Sequence, residues 1–194
     1  YENPGERRTI IKKILLEKEI NGFECRIKKW CGQIVWASIS ARAIEDSSGK
    51  VKYIDGIWED ITEKKVREEK LLQFAKVIEQ ADEEVLITSP EGIIQYVNPS
   101  FEQNTGYSPE EVIGKTPAVL KSGSHNRAYY KELWGTLLNS NPWKGVMKNK
   151  KKDGRIILHD TAITPILDSE NRISAFVSIR RDITKRKEIE KQLY

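Results

Sequence analysis

The chain is poor in the residues that build metal centres and covalent frameworks: two cysteines and two histidines among 194 residues. Cys25 and Cys31 are too few for a disulfide framework or a zinc site. They read as one thiol buried in a strand and one exposed at a turn, with reduced cytosol as the expected compartment. Haem needs an axial ligand, but the Ser-Gly-Ser context of His125 suits a helix-entry loop. His159 sits mid-strand beside Asp160, and two histidines assemble no metal cluster. Long apolar runs are missing too. None approaches the about 18–20 residues of a membrane span, and no signal-like segment opens the chain. No membrane contact by this segment is expected, and the location reads as cytoplasmic, compatible with a parent chain anchored upstream. A Gly-rich phosphate loop, a phosphoacceptor histidine motif and a nucleophile–base pair are also absent. The segment is expected to sense or couple, not to catalyse.

What is present is ordinary for a globular chain with much helical surface: 32% charged and 38% hydrophobic residues, with a net charge of +4. Disorder would need fewer apolar residues and a larger charge imbalance. The basic run of Lys148, Lys150, Lys151 and Lys152 ends at Asp153-Gly154. Strand alternation makes it a solvated hairpin tip, so no nucleic acid is expected as a partner.

The organising feature is a repeat. A shift of 122 residues lays Gly32 on Gly154, Asp46-Ser47 on Asp168-Ser169, and Asp60-Ile61-Thr62 on Asp182-Ile183-Thr184, without a gap. Ile34/Ile156, Ile44/Ile166, Ile57/Ile179 and Lys65/Lys187 bring the identities between Gly32 and Lys65 to ten. Two related units are therefore expected.

In the first, Asn3-Pro4 precedes a helix whose Ile10, Ile11, Ile14 and Leu15 share a face, and Asn21-Gly22 is expected to stop it. Strands follow at Phe23–Trp30, Ile34–Ile44 and Val51–Glu59. Three strands and a helix bury little surface, so the first unit reads as the tail of a larger domain. Thr62 is a candidate N-cap for a helix running to about Asp82, with Val66, Leu71, Phe74, Ala75, Ile78 and Ala81 on one stripe. That stripe suits either a coiled-coil seam or packing on the helix's own sheet.

The second unit is complete. A hairpin of Val85–Thr88 and Ile93–Asn98 leads to short helices around Pro99–Thr105 and Pro109–Ile113, the second capped by Ser108 with Glu111 three residues on. An amphipathic helix covers Tyr129–Asn139. Strands lie near Trp143–Asn149, Arg155–Pro165 and Arg172–Arg181. In the last strand Ile173, Ala175, Val177 and Ile179 alternate with Ser174, Phe176, Ser178 and Arg180, so one face meets a core. The order β-β-α-α-α-β-β-β is an α+β architecture, an antiparallel sheet with helices on one face.

The stretches Gly92–Phe101 (GIIQYVNPSF) and Thr105–Lys115 (TGYSPEEVIGK), with Lys152-Asp153-Gly154 and Asp182-Ile183-Thr184 behind them, resemble the PAS sensor family. Residues 75–187 span that family's length, and residues 1–65 resemble the end of a second copy. The expected division is 1–61, the C-terminal part of a first PAS domain; 62–82, a connecting helix; 83–184, a complete second domain; and 185–194, the start of an output helix. The resemblance implies a five-stranded antiparallel sheet, a pocket between sheet and helices, homodimers through flanking helices, and a parent histidine kinase or diguanylate cyclase.

Leu133-Trp134-Gly135, Pro142-Trp143-x-Gly145-Val146, and Asn149 ahead of Lys152-Asp153 resemble a flavin-binding branch that includes a redox-sensing nitrogen-fixation regulator. That likeness implies FAD as a possible cofactor, with Trp134 and Asn149 at flavin-contacting positions. An amide offers donor and acceptor to the pyrimidine edge, and an indole offers apolar wall. Pro117 and Leu86 stand where those flavoproteins carry glutamate and serine. The plain alternative keeps Trp134 in the core and Asn149 as a hydrogen-bonded strand residue. The Asn-Cys-Arg-Phe-type word of photochemical flavin domains is absent. Signal relay is expected at Asp60 and Thr62, and at Asp182 and Thr184, where aspartate favours a helix N-terminus and threonine caps it. The rival function is a ligand-free dimerisation and protein-interaction module.

Overall fold

The computed structural model describes residues 4–193; Asn3, at the expected helix entry, and Tyr194 lie outside the described residues. Two compact units divide at Phe74/Ala75. The first holds α1 (Pro4–Glu17), β1 (Glu19–Lys28), β2 (Ile34–Glu45) and β3 (Val51–Asp60), a meander paired antiparallel in the order β1-β2-β3. Its core is small. Ile10 and Ile14, one helical turn apart, pack against Ile20 and Cys25 of β1. The helix ends earlier than expected, at Lys18 with φ +69°. Asn21-Gly22 lies inside β1, where the register shifts between Ile20 and Phe23. Gly22, at φ +63°, supplies the left-handed turn of that bulge, and its N–H donates to Ser40 Oγ (3.0 Å). Cys25 is buried and Cys31 exposed, both free. Every residue of β3 from Lys52 to Asp60 is exposed, including Tyr53, Ile57 and Trp58.

Helix α2 (Thr62–Glu79) buries none of its residues, and Leu71, Phe74 and Val77 are each about two-thirds exposed. Packing on its own sheet is therefore not what this helix does.

The second unit contains β4 (Glu84–Thr88), β5 (Ile94–Val97), α3 (Pro99–Thr105), α4 (Pro109–Val112), a 3-10 turn (Pro117–Leu120), α5 (Arg127–Leu138), β6 (Trp143–Lys150), β7 (Ile156–Leu167), β8 (Ile173–Asp182) and α6 (Thr184–Gln192). Its five antiparallel strands are ordered β5-β4-β8-β7-β6, an α+β arrangement. The turn chemistry explains the short helices. Asn98 Oδ1 accepts from the Phe101 N–H to start α3, Gly106 at φ +79° ends it, and Glu111 accepts from the Ser108 N–H (3.0 Å) at the head of α4. Leu86, Ile94, Val97, Phe101, Val112 and Leu120 form one core cluster, and Leu133, Leu137, Trp143 and Phe176 another. The Trp143 ring lies so close to Gly145 that a Cβ there would stand 2.7 Å from it, which accounts for a glycine two residues after the tryptophan.

The repeat is reproduced bond for bond. The Ile61 N–H donates to Trp36 O and the Ile183 N–H to Leu158 O, both at 2.9 Å, with donors and acceptors alike 122 positions apart.

Candidate functional site

Between sheet and helices, the second unit encloses a cavity of about 300 Å³. That is at the small end of ligand pockets. Its walls are mostly apolar: Leu86, Leu133, Leu137, Met147, Ile163 and Phe176. Both expected flavin-contacting residues line it. Trp134, 38% exposed, meets Phe176 edge to face (5.7 Å between ring centroids) and closes over the β4–β5 turn, where a Cβ at Gly92 would lie 3.2 Å from the indole. It is cavity wall, not sealed core. Pro117 and Leu86 line the same space. The two departures from the flavin-binding pattern thus place apolar groups in the wall.

Asn149 is a hydrogen-bonded strand residue, as the plain alternative expects. It lines the cavity, and its Nδ2 lies 2.9 Å from His159 Nδ1. An amide nitrogen cannot accept, so Nδ1 is the acceptor and the imidazole proton is on Nε2. From there it is donated to Glu84 Oε1 (2.8 Å). His159 and Glu84 are fully buried and Asn149 nearly so. One amide N–H is committed to this chain, while the carbonyl oxygen and the second N–H are the groups Asn149 has for a ligand.

The last strand turns its polar set inward. Phe176, Ser178 and Arg180 are buried, while Ile179 is 42% exposed. Arg180 stands opposite Glu84 on β4 and Thr161 on β7. Its Nε donates to Ser178 Oγ (3.1 Å), and both residues line the cavity. Burial pushes the guanidinium pKa down and the Glu84 carboxylate opposes that shift. Sequence reasoning missed Arg180 because it alternates with isoleucines that look like the core face. It missed Glu84 because a carboxylate at a strand start reads as solvent-facing. The usable signal was the period of two: Arg180 shares parity with Phe176, an aromatic that has to be buried.

At the two exits, the four residues expected to relay a signal are in equivalent geometry. Asp60 Oδ1 accepts from the Thr62 N–H (3.1 Å), and Asp182 Oδ1 from the Thr184 N–H (2.8 Å). The threonines are the first helical residues of α2 and α6 and do not cap them. Their hydroxyls accept instead from the Trp36 and Leu158 N–H groups of the neighbouring strand, at 2.9 and 3.0 Å. Aspartate, one residue outside the N-cap position, accepts the first helical N–H, and threonine staples helix to sheet, because a side chain already inside the first turn points back toward the strand it has left.

His125 is structural. Its Nε2 accepts from the Lys148 N–H (2.8 Å) and its ring stacks on Tyr129 at 3.9 Å. Burial lowers its pKa and pushes Tyr129 up to about 12.

Comparison with known proteins gives this geometry a family. The chain is 34% identical over 120 residues to a nitrogen fixation regulatory protein of Klebsiella oxytoca, covering 62% of this chain and 24% of that protein. Against the aerotaxis receptor of Escherichia coli it is 29% identical over 106 residues, covering 54% and 21%. The chain thus spans about a quarter of the length of these relatives. Among solved structures, the PAS domain of a Colwellia psychrerythraea protein superposes with a TM-score of 0.57 at 28% identity, covering 60% of this chain and 99% of that one. A model of the PAS fold matches residues 72–183, and a PAS domain model matches residues 3–63. The chain therefore belongs to the PAS family, as two PAS units in tandem.

Proposed function

We propose that the second unit is a cytoplasmic sensory module that takes a flat ring into its cavity, with the isoalloxazine ring of a flavin (FAD) as the leading candidate. Occupancy is passed along β8 to α6, and on to a kinase or cyclase domain of the parent chain. The observation that carries this reading is the cavity, which is apolar on most sides and has Asn149 and Trp134 on its wall. These residues fit a flat ring with a hydrogen-bonding edge: the amide oxygen takes an N–H from the ring, and the indole covers a face. A flavin would supply such an edge together with reversible redox chemistry. The similar proteins are named for nitrogen-fixation regulation and aerotaxis, both signalling tasks.

The relay uses the chain's own bonds. Any shift of β8 against β7 moves Asp182 and Ile183, and the bond from the Thr184 N–H to Asp182 passes it to the first turn of α6, while the bond from the Leu158 N–H to the Thr184 hydroxyl holds that turn to β7. A ligand biases that element only if it binds one arrangement of β8 more tightly than the other. Asp60 and Thr62 place the same junction ahead of α2.

A second reading has its own observation. Leu71, Phe74 and Val77 stand exposed on α2, as a helix that pairs with a second copy requires, and a ligand-free dimerisation module would need nothing more. Absorbance separates the two. Protein incubated with FAD and passed through gel filtration is expected to keep a flavin band, and Asn149→Leu to lose it; a colourless wild type would sink the flavin reading.

A further inference from the structure

We propose that Arg180 is the polar anchor of the cavity and selects ligands that carry a hydrogen-bond acceptor edge, a carboxylate or a ring carbonyl, on a flat aromatic body. This rests on the cavity being a ligand site, but not on the ligand being a flavin.

Arg180 is only 4% exposed, lines the cavity, and its Nη1 has no hydrogen-bond partner. A guanidinium buried for structural reasons spends its N–H groups on carbonyls or a carboxylate. Here Nε is spent on Ser178 Oγ. Glu84, the opposing carboxylate, has its Oε1 engaged by His159 and its Oε2 buried without a hydrogen-bond partner, and it acts on Arg180 through its field. That field favours the charged guanidinium against burial without using up its donor. A buried charged donor left unpaired is costly, and an acceptor on the ligand removes that cost.

The surroundings set the rest of the ligand. Trp134, Phe176 and Met147 offer flat, polarisable walls, and Asn149 adds a second polar contact. A purely hydrocarbon ligand would leave both polar groups dry. The anchor also sits two residues before Asp182 on β8, so a ligand that holds Arg180 holds the strand that carries the exit.

Binding of three probes tests this: riboflavin, 2-naphthoate, and 2-methylnaphthalene, which has no hydrogen-bond acceptor. The wild-type chain is compared with the double variant Arg180→Met/Glu84→Gln, which removes both buried charges together, and with Arg180→Lys, which keeps the charge and loses the fork. The double variant is expected to bind riboflavin and 2-naphthoate at least about ten-fold more weakly, the scale of one charge-assisted hydrogen bond, with 2-methylnaphthalene not weakened. Arg180→Lys is expected to fall between, and it carries the test if the double variant does not fold. Equal 2-naphthoate affinity in wild type and variant overturns the proposal. Riboflavin binding that is unaffected by either variant overturns Arg180 as the anchor and leaves the flavin reading standing. Arg180-dependent 2-naphthoate binding without riboflavin binding ends the flavin reading and supports the anchor. A wild type that takes none of the probes overturns both.

Discussion

Asn98 is buried and uses every hydrogen-bonding position of its amide. Its oxygen accepts from the Val85 and Phe101 N–H groups, and its nitrogen donates to the Ile78 and Glu83 carbonyls. One side chain thus joins the end of α2, the start of β4 and the head of α3. Asn98→Ala removes all four bonds and leaves buried backbone groups unpaired, each worth about 1–3 kcal/mol. It is expected to destabilise the second unit by at least about 2 kcal/mol, measured as a lower urea midpoint at unchanged slope. Asp60 gives a pH prediction. Hydrogen bonds from Thr62, and then from the Lys29 ammonium, hold its carboxyl at about 2, below the ordinary carboxylate range. A folded value lower than the unfolded one stabilises the fold above about pH 4 and loses that contribution as pH falls through about 2. Asp60→Asn should therefore flatten the acid limb of stability between those values, and an unchanged limb would contradict the assignment. Asn98 was legible as the end of a strand ahead of Pro99. Its four partners were not, since two of them come from carbonyls far back in the chain.

Elements show where local reading succeeds and where it fails. Strand positions, the cap of α4 and the repeat all follow from turn residues and periodicity, which act over a few residues. The inward face of β8 does not. Alternation tells that Phe176, Ser178 and Arg180 share a side, but which side is buried depends on what α5 and β4 bring to it. The threonines of the two exits show the same limit: spacing marks Thr184 as a cap, and only the adjacency of β7 turns its hydroxyl to Leu158. Thr184→Val removes that acceptor and is expected to cost about 1–2 kcal/mol, read as a lower melting temperature and faster amide exchange at Leu158 and in the first turn of α6. Arg181 pairs outside with Glu83, an exposed ion pair of small worth, while Arg180 and Glu84 face inward one position along.

At the scale of the molecule the two units are unequal. The first has a three-stranded sheet with β3 exposed along nearly its whole length, and a core cluster of four buried residues, Ile10, Ile14, Ile20 and Cys25. The second has five strands and two core clusters. Calorimetry on the whole chain is expected to show two transitions, with the first unit melting at lower temperature; a single cooperative peak would refute independent units. No described helix is long and apolar enough to cross a membrane.

The sequence by itself determined the tandem order, the strand and helix alternation and the Asp-Ile-Thr exits. Those properties live in local propensity and in the repeat, and both are written along the chain. Tertiary structure alone decided that the polar side of β8 faces inward, that Asn149, His159 and Glu84 form one buried chain of hydrogen bonds, and that Arg180 keeps an unpaired donor at the cavity. The physical reason is distance in sequence. Glu84 and His159 are 75 residues apart, and whether a charged side chain meets water or a partner is fixed by which strands become neighbours.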